Sequence, residues 1–152
     1  MAKRLEDEIK QKKFSSEVEK VLVNLIYTYN HFQYNFEKIL KEFKITSQQY
    51  NILRILKGQY PKGITLIEIK NRMLDKNSDV SRIVERMRQK KLLTRKINPK
   101  NRREVEICIT QKGLDLLEEI QPHLIKFHSS INHMSNQELQ TINELLDKLR
   151  NN

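Results

Sequence analysis

Residues 92–110 read LLTRKINPKNRREVEICIT. Leu92, Leu93 and Thr94 lead into an extended segment. Asn98-Pro99-Lys100-Asn101 supplies turn chemistry, because proline fixes φ and asparagine tolerates tight or left-handed backbone. Beyond that turn, Val105, Ile107 and Ile109 alternate with Glu104, Glu106 and Cys108, the two-residue period of a strand. The stretch therefore predicts a β-hairpin whose tip carries Lys100, Arg102 and Arg103.

Immediately upstream, the spacing predicts a helix over about residues 78–90. Val80, Ile83, Val84 and Met87 share one face, while Asp79, Arg82, Glu85, Arg86 and Lys90 lie away from it. Residues 75–77 make a turn, and before them Thr65 caps a short helix carrying Leu66, Ile67, Ile69 and Met73. Two short helices around a tight turn, the second polar and basic outside, have the pattern of a helix-turn-helix. Taken alone, they read better as an ordinary helical hairpin. The basic-tipped β-hairpin that follows at once decides between the two, because helix, turn, helix and hairpin in that order make a winged helix. Further upstream, Thr46 and Gln49 form a capping box that opens a helix with Tyr50, Ile52, Leu53 and Leu56, ending at Gly58. Pro61 and Gly63 mark a turn, and Ile64 stands as a single strand residue.

The two ends of the chain are helical. Residues 16–43 hold Val18, Val21, Leu22, Leu25, Ile26, Tyr29, Phe32, Phe36, Ile39, Leu40 and Phe43 at the three- and four-residue spacing of an amphipathic helix of about seven turns. Leu5, Ile9 and Phe14 either extend it or form a short separate helix. A helix of this length reaches beyond its own core, and its surplus apolar surface asks for a partner subunit. Thr110 caps a helix with Leu114, Leu116, Leu117, Ile120, Leu124, Ile125 and Phe127. Pro122 inside it should kink it. Ser135 with Glu138 opens a final helix that sets Leu139, Ile142, Leu145, Leu146 and Leu149 on one side. The fold class is mainly α with a small β-hairpin wing: one domain over residues 1–152, with a winged helix-turn-helix at 45–113 between dimerisation helices at 1–44 and 114–152.

Composition agrees. The chain of 152 residues is 32% charged and has three glycines, three prolines and no tryptophan, which favours long helices over turn-rich sheets. No apolar run approaches the ~20 residues a membrane span needs, and the start is charged, so a cytoplasmic protein with no membrane partner is expected. A lone cysteine at 108 excludes an internal disulfide and fits a reducing compartment. Of the net charge of +10, residues 1–71 hold 13 basic and 8 acidic groups, residues 72–103 hold 12 and 3, and residues 104–152 hold 4 and 8. Nearly all the excess thus sits in the helix-turn-hairpin segment, where it points to a polyanionic partner.

These residues together resemble the MarR family of bacterial regulators, over nearly the whole chain. The most specific match is Leu92-Leu93-Thr94-Arg95, then Asn98-Pro99-Lys100-Asn101-Arg102-Arg103, then Ile109-Thr110-Gln111-Lys112-Gly113. Ile45-Thr46 with Gln49-Tyr50, the run Ser81-Arg82-Ile83-Val84-Glu85-Arg86-Met87, and residues 135–139 support it. Two departures stand out. Asn101 occupies a place where the family usually has Asp to hold the arginine matching Arg103, and an amide offers only hydrogen bonds. Lys91 stands where glycine commonly ends the recognition helix, so it must take a left-handed backbone or end the helix otherwise.

The resemblance implies double-stranded DNA as partner and a homodimer as the binding unit. Two recognition helices about 34 Å apart read a palindrome, whereas one reads too few base pairs. The N-terminal turns of such a helix lie nearest the base edges, which assigns Asn77, Ser78, Ser81 and Arg82 to the major groove. Arg82 is the guanine reader, because its planar fork can donate twice. Arg86, Lys90, Lys100 and Arg102 are assigned to phosphates, and Arg103 to the minor groove, whose narrow A·T-rich form concentrates negative potential. Family members often release DNA when a small aromatic effector binds between the dimer helices and the winged region. Tyr27, Tyr34, Phe36 and Tyr50 are the candidates for such a cleft, with plain core packing as the alternative.

Other chemistries find little support. His123 and His128 are five residues apart and point to different faces, so no metal site and no cofactor is expected. Cys108 falls in a wing strand, where a buried or half-buried inert thiol is expected. No phosphate loop or acid–base pair suggests an enzyme. A protein–protein adaptor is the remaining class, and the concentrated basic segment argues against it.

Overall fold

Short polar residues set the helix starts in the computed structural model, which describes residues 3–98, 100–101 and 104–151. α1 (Leu5–Glu8) is a separate single turn, and α2 (Glu17–Glu42) begins after Ser16, whose hydroxyl accepts from the Glu19 N–H. α3 (Ser47–Lys57) opens with the expected capping box. Thr46 Oγ1 accepts from Gln49 N, and Gln49 Oε1 accepts from Thr46 N, each at 3.1 Å. After β1 (Ile64–Thr65), Thr65 and Glu68 form the same box at the head of α4 (Leu66–Arg72). α5 (Val80–Gln89), β2 (Leu93–Ile97), β3 (Val105–Ile109), α6 (Gln111–Ile131) and α7 (Asn136–Arg150) follow.

α5 starts two residues later than the periodicity suggested. Asp79 is its N-cap, not a residue of its outer face, and the Asp79 carboxylate accepts from Arg82 N at 3.2 Å. A carboxylate here satisfies an orphan donor and sits favourably at the positive end of the helix.

The expected hairpin gains a third strand. β1 pairs antiparallel with β3, Ile64 opposite Ile107, and β2 pairs with β3 from Leu93 opposite Ile109 to Ile97 opposite Val105. β3 is therefore the central strand, which explains why Cys108 is buried although it alternates with the inward Ile107 and Ile109. A side chain at Gly63 would place Cβ 2.5 Å from Cys108 Sγ, so only glycine lets the chain pass over the thiol.

The chain divides into two compact units, Met1–Ile120 and Gln121–Asn152. The first unit has its core at Leu40, Ile52, Leu53, Leu56, Ile69, Val84, Met87, Leu93 and Ile107, all fully buried. Each such side chain contributes roughly 1.5–3 kcal/mol when removed from water. α2 meets this core through Leu40, while Val18 (64% exposed), Leu22, Ile26 (63%) and Tyr29 form an uncovered apolar stripe along it. In the second unit α7 begins with the capping box of Ser135 and Glu138 and has no buried residue; Leu139, Ile142, Leu145 and Leu149 are exposed on it. α6 runs through Pro122 as one helix. No helix among the described residues is long and apolar enough to cross a membrane.

Lysines close three helices where glycine would be usual. Lys10, Lys44 and Lys91 have φ of 55°, 57° and 61°. After α5, Leu92 N donates to Met87 O and Lys91 N to Arg88 O, the paired bonds of a Schellman motif, with buried Leu92 against buried Met87. The same pair of bonds closes α2, from Ile45 N to Leu40 O and from Lys44 N to Lys41 O.

Candidate nucleic-acid interface

α5 is fixed by what it buries. Val80, Val84 and Met87 enter the core, and the helix packs against α3, α4 and β2. Residues two positions either side of Val84 then project about 160° away, so Arg82 and Arg86 are exposed one turn apart on the opposite face, with Ser81 beside them. The preceding turn is organised by side chains. Asp75 Oδ1 accepts from Asn77 N (3.0 Å), Asn51 Oδ1 accepts from Leu74 N (2.9 Å), and Lys76 Nζ donates to Asn71 O. Asn77 is exposed at this turn. Ser78 is half-buried, and its hydroxyl oxygen is buried with no partner among the described residues. Of the four residues assigned to the major groove, Asn77, Ser81 and Arg82 thus share an exposed surface, whereas the Ser78 hydroxyl faces inward.

The cations around α5 are sorted by pairing. Arg88 donates twice to Glu85 (2.8 and 3.1 Å), and Arg95 lies 3.8 Å from the same carboxylate. The Arg88 bond holds the Glu85 carboxyl below the usual range, with the nearby charges of Arg88 and Arg95 adding to it. Arg82 and Arg86 form no ion pair among the described residues. Lys90, assigned to phosphate, donates instead to the Lys44 carbonyl at the end of α2 (2.7 Å), while its own carbonyl accepts from Lys112 Nζ (2.9 Å).

The wing turn hangs on Asn98. Its Oδ1 accepts from Lys100 N (2.8 Å), its Nδ2 donates to Glu106 (2.9 Å), and its backbone N–H closes the loop on Glu104 O (2.9 Å). Asn101 is held through its backbone, donating to Asn98 O and accepting from Glu104 N. Lys100 is exposed at the tip. Arg102 and Arg103, and with them the expected partnership between residues 101 and 103, lie outside the described residues.

Comparison with known proteins places this arrangement. The model of the MarR family matches residues 45–105, from the start of α3 into β3. The HTH-type transcriptional regulator MhqR of Bacillus subtilis (strain 168) is 27% identical over 133 residues, covering 86% of this chain and 89% of that protein. Over this stretch the chain is similar to the MarR family. Among solved structures, a MarR transcription factor from Planctomyces limnophilus is 29% identical with a TM-score of 0.67, over 89% of this chain and 98% of the other. Bordetella bronchiseptica BpsR, solved in a study of how 6-hydroxynicotinic acid regulates its DNA binding, is 25% identical with a TM-score of 0.76, over 93% and 98%.

The protein also has a cavity of about 610 Å³ between α2, α3 and the turn before α5. Phe36 and Tyr50 line it, with ring centroids 5.5 Å apart and edge to face, as do Tyr29, Asn51, Arg54 and Met73. Tyr27 and Tyr34 do not. The Tyr27 hydroxyl donates to Glu8 (3.0 Å), which raises its pKa, and Tyr34 is 71% exposed elsewhere on α2. Helical arithmetic separates them: Tyr29 precedes Phe36 by seven residues, nearly two whole turns, whereas Tyr27 and Tyr34 lie about half a turn away. Tyr29 was legible on that ground and was missed; Arg54 and Met73 needed the tertiary structure. Burial pushes the Cys108 thiol up, as an inert cysteine requires. Among the described residues no three His, Cys, Asp or Glu side chains gather as a metal site would need.

Proposed function

We propose that this chain is a MarR-family double-stranded-DNA-binding transcriptional repressor that acts as a homodimer on a palindromic operator and releases it when a small aromatic effector binds. α5 enters the major groove with Asn77, Ser81 and Arg82 toward the bases, Arg86 and Lys100 meet phosphates, and the wing with Arg102 and Arg103 reaches the flanking backbone and minor groove. The observation that carries this reading is the charge sorting on α5. Arg88 is neutralised by Glu85, while the outward pair Arg82 and Arg86 is left without an acid among the described residues.

The uncovered apolar faces of α2 and α7 support the homodimer, since stripes of that extent are costly in water unless a second copy covers them. The aromatic cavity supports the effector: Phe36 and Tyr50 offer ring faces, and Arg54 offers a charge for an acidic substituent.

Fluorescence anisotropy on fragments of the source genome, at 50 and 200 mM salt, tests the central claim. With 6 to 10 phosphates neutralised per dimer, affinity should fall by roughly 10³ to 10⁵ across that interval. A flat salt response, or indifference to duplex DNA in dilute buffer, overturns the reading. Deleting residues 134–152 should give monomers with weakened DNA binding, and sedimentation showing an intact dimer would refute the assignment of α7.

A further inference from the structure

We propose that the DNA backbone is gripped at a second place, the junction of α2 and α5, where Lys41, Lys44, Arg86 and Lys90 surround a shallow cavity of about 530 Å³. The inference rests on the DNA-binding reading above and adds a contact from the long helix, outside both the helix-turn-helix and the wing.

Among the described residues, four cations and no carboxylate line this cavity; the remaining wall is Ile45, Thr46, Gln49 and Gln89. None of the four cations forms an ion pair among the described residues, although Lys20, Arg88, Arg95 and Arg150 elsewhere each have an acid. Gathering like charges without a counter-ion is unfavourable, and a polyanion that covers them removes the penalty.

The site is built rather than incidental. Lys90 Nζ is fixed on the Lys44 carbonyl at 2.7 Å, which ties the end of α5 to the end of α2. Lys44 itself is set by the Schellman closure of α2, at φ 57°. Lys41, Lys44 and Arg86 make no side-chain hydrogen bond among the described residues, so their charges are free for a ligand.

Position selects the ligand. Arg82 and Arg86 stand one turn apart on the outer face of α5, and the next step along that face reaches Gln89 and Lys90, where the cavity opens. A duplex lying on Arg82 and Arg86 therefore carries a bordering phosphate strand across the end of α2. Lys41 and Lys44 meet phosphodiesters there, in a contact that reads no sequence.

The test compares the full-length protein with its Lys41→Gln and Lys44→Gly variants, and with Lys12→Gln as a control in the loop before α2. Glycine at 44 removes the charge and suits the left-handed backbone, so folding is preserved. Anisotropy is measured from 50 to 200 mM salt, on an operator fragment and on an unrelated duplex of equal length. Each variant loses one phosphate contact per protomer, two per dimer. The wild type should therefore lose about twelvefold more affinity than the variant over that interval, equally on both duplexes. Lys12→Gln should superimpose on the wild type. Variant slopes equal to the wild type's, or a loss confined to the operator fragment, overturn the proposal while leaving the DNA-binding reading intact. A wild type that binds neither duplex defeats that reading itself.

Discussion

Alanine at Gly113 should destabilise the protein although it improves helix propensity. Gly113 lies in the first turn of α6, where its N–H donates to Thr110 Oγ1 (3.1 Å). An added Cβ would lie 2.4 Å from Leu92 O and 2.7 Å from Ile109 Cγ1. Leu92 cannot yield easily. Its N–H closes α5 on Met87 O, its carbonyl accepts from Thr110 N (3.1 Å), and its side chain is buried. Displacing that carbonyl costs about 1 kcal/mol for the Thr110 bond, and forcing Ile109 off its rotamer about 0.5–1.5 kcal/mol. Against this stands up to about 1 kcal/mol of helix propensity. Some further overpacking strain is expected in so tight a junction, which leaves a net loss of roughly 1–2 kcal/mol. For a chain of this length that lowers Tm by roughly 2–8 °C. Gly58→Ala is the internal control. There the nearest contact is an ordinary 3.4 Å and φ is −63°, so alanine fits and should stabilise by about 0.4–1 kcal/mol through the unfolded chain. Circular-dichroism melts of both variants decide the matter; if Gly113→Ala melts as high as Gly58→Ala, the close-approach argument is wrong.

Lys91→Gly relieves a left-handed backbone that costs a non-glycine residue about 1–2 kcal/mol, less about 0.5–1 kcal/mol of extra chain entropy. The urea midpoint should rise at constant m, and a lower midpoint would show that Lys91 contributes something its conformation does not reveal. Arg82→Ala should cost about 1–3 kcal/mol of operator affinity and relax one base position, with Arg88→Ala costing less because Glu85 already neutralises it; the reverse order in a binding titration would contradict the charge sorting. The carboxyls of Glu19, Glu68 and Glu138 are held below the usual range by hydrogen bonds from Ser15, Thr65 and Ser135. A depressed folded-state pKa contributes stability that is complete above the unfolded value, about 4.3, and is lost as pH falls through the folded one. Urea midpoints should therefore be flat from neutrality to about pH 5 and decline below about pH 4, and a decline already complete by pH 5 would rule this out. Cys108 should react slowly with a thiol reagent until the protein is unfolded, and prompt labelling of the native protein would contradict its burial.

What the sequence disclosed and what it withheld differ by range of interaction. The caps at Thr46 and Ser135 involve partners three residues away, and each formed as the pattern required. The hairpin was legible because alternation and turn chemistry lie in one stretch. Where two short polar residues adjoin, local pattern no longer discriminates: Ser78 and Asp79 can both cap, and the choice fell to Asp79 while the Ser78 hydroxyl turned inward. Lys91 could be flagged because a glycine was expected there. Lys44, with the same backbone, could not, since its left-handed closure depends on buried Ile45 meeting Leu40. The charge pattern shows the limit most clearly. Counting along the chain found an excess of cations in residues 72–103 but could not divide it. Glu85 draws Arg88 and Arg95 to one carboxylate, and Lys90 is held on a carbonyl 46 residues away while keeping its charge. The same fold adds Lys41 and Lys44, which lie outside the basic segment altogether. The surface available to a polyanion is thus not the segment that composition marks but what tertiary pairing leaves uncompensated, and the two overlap at Arg82, Arg86, Lys90 and Lys100.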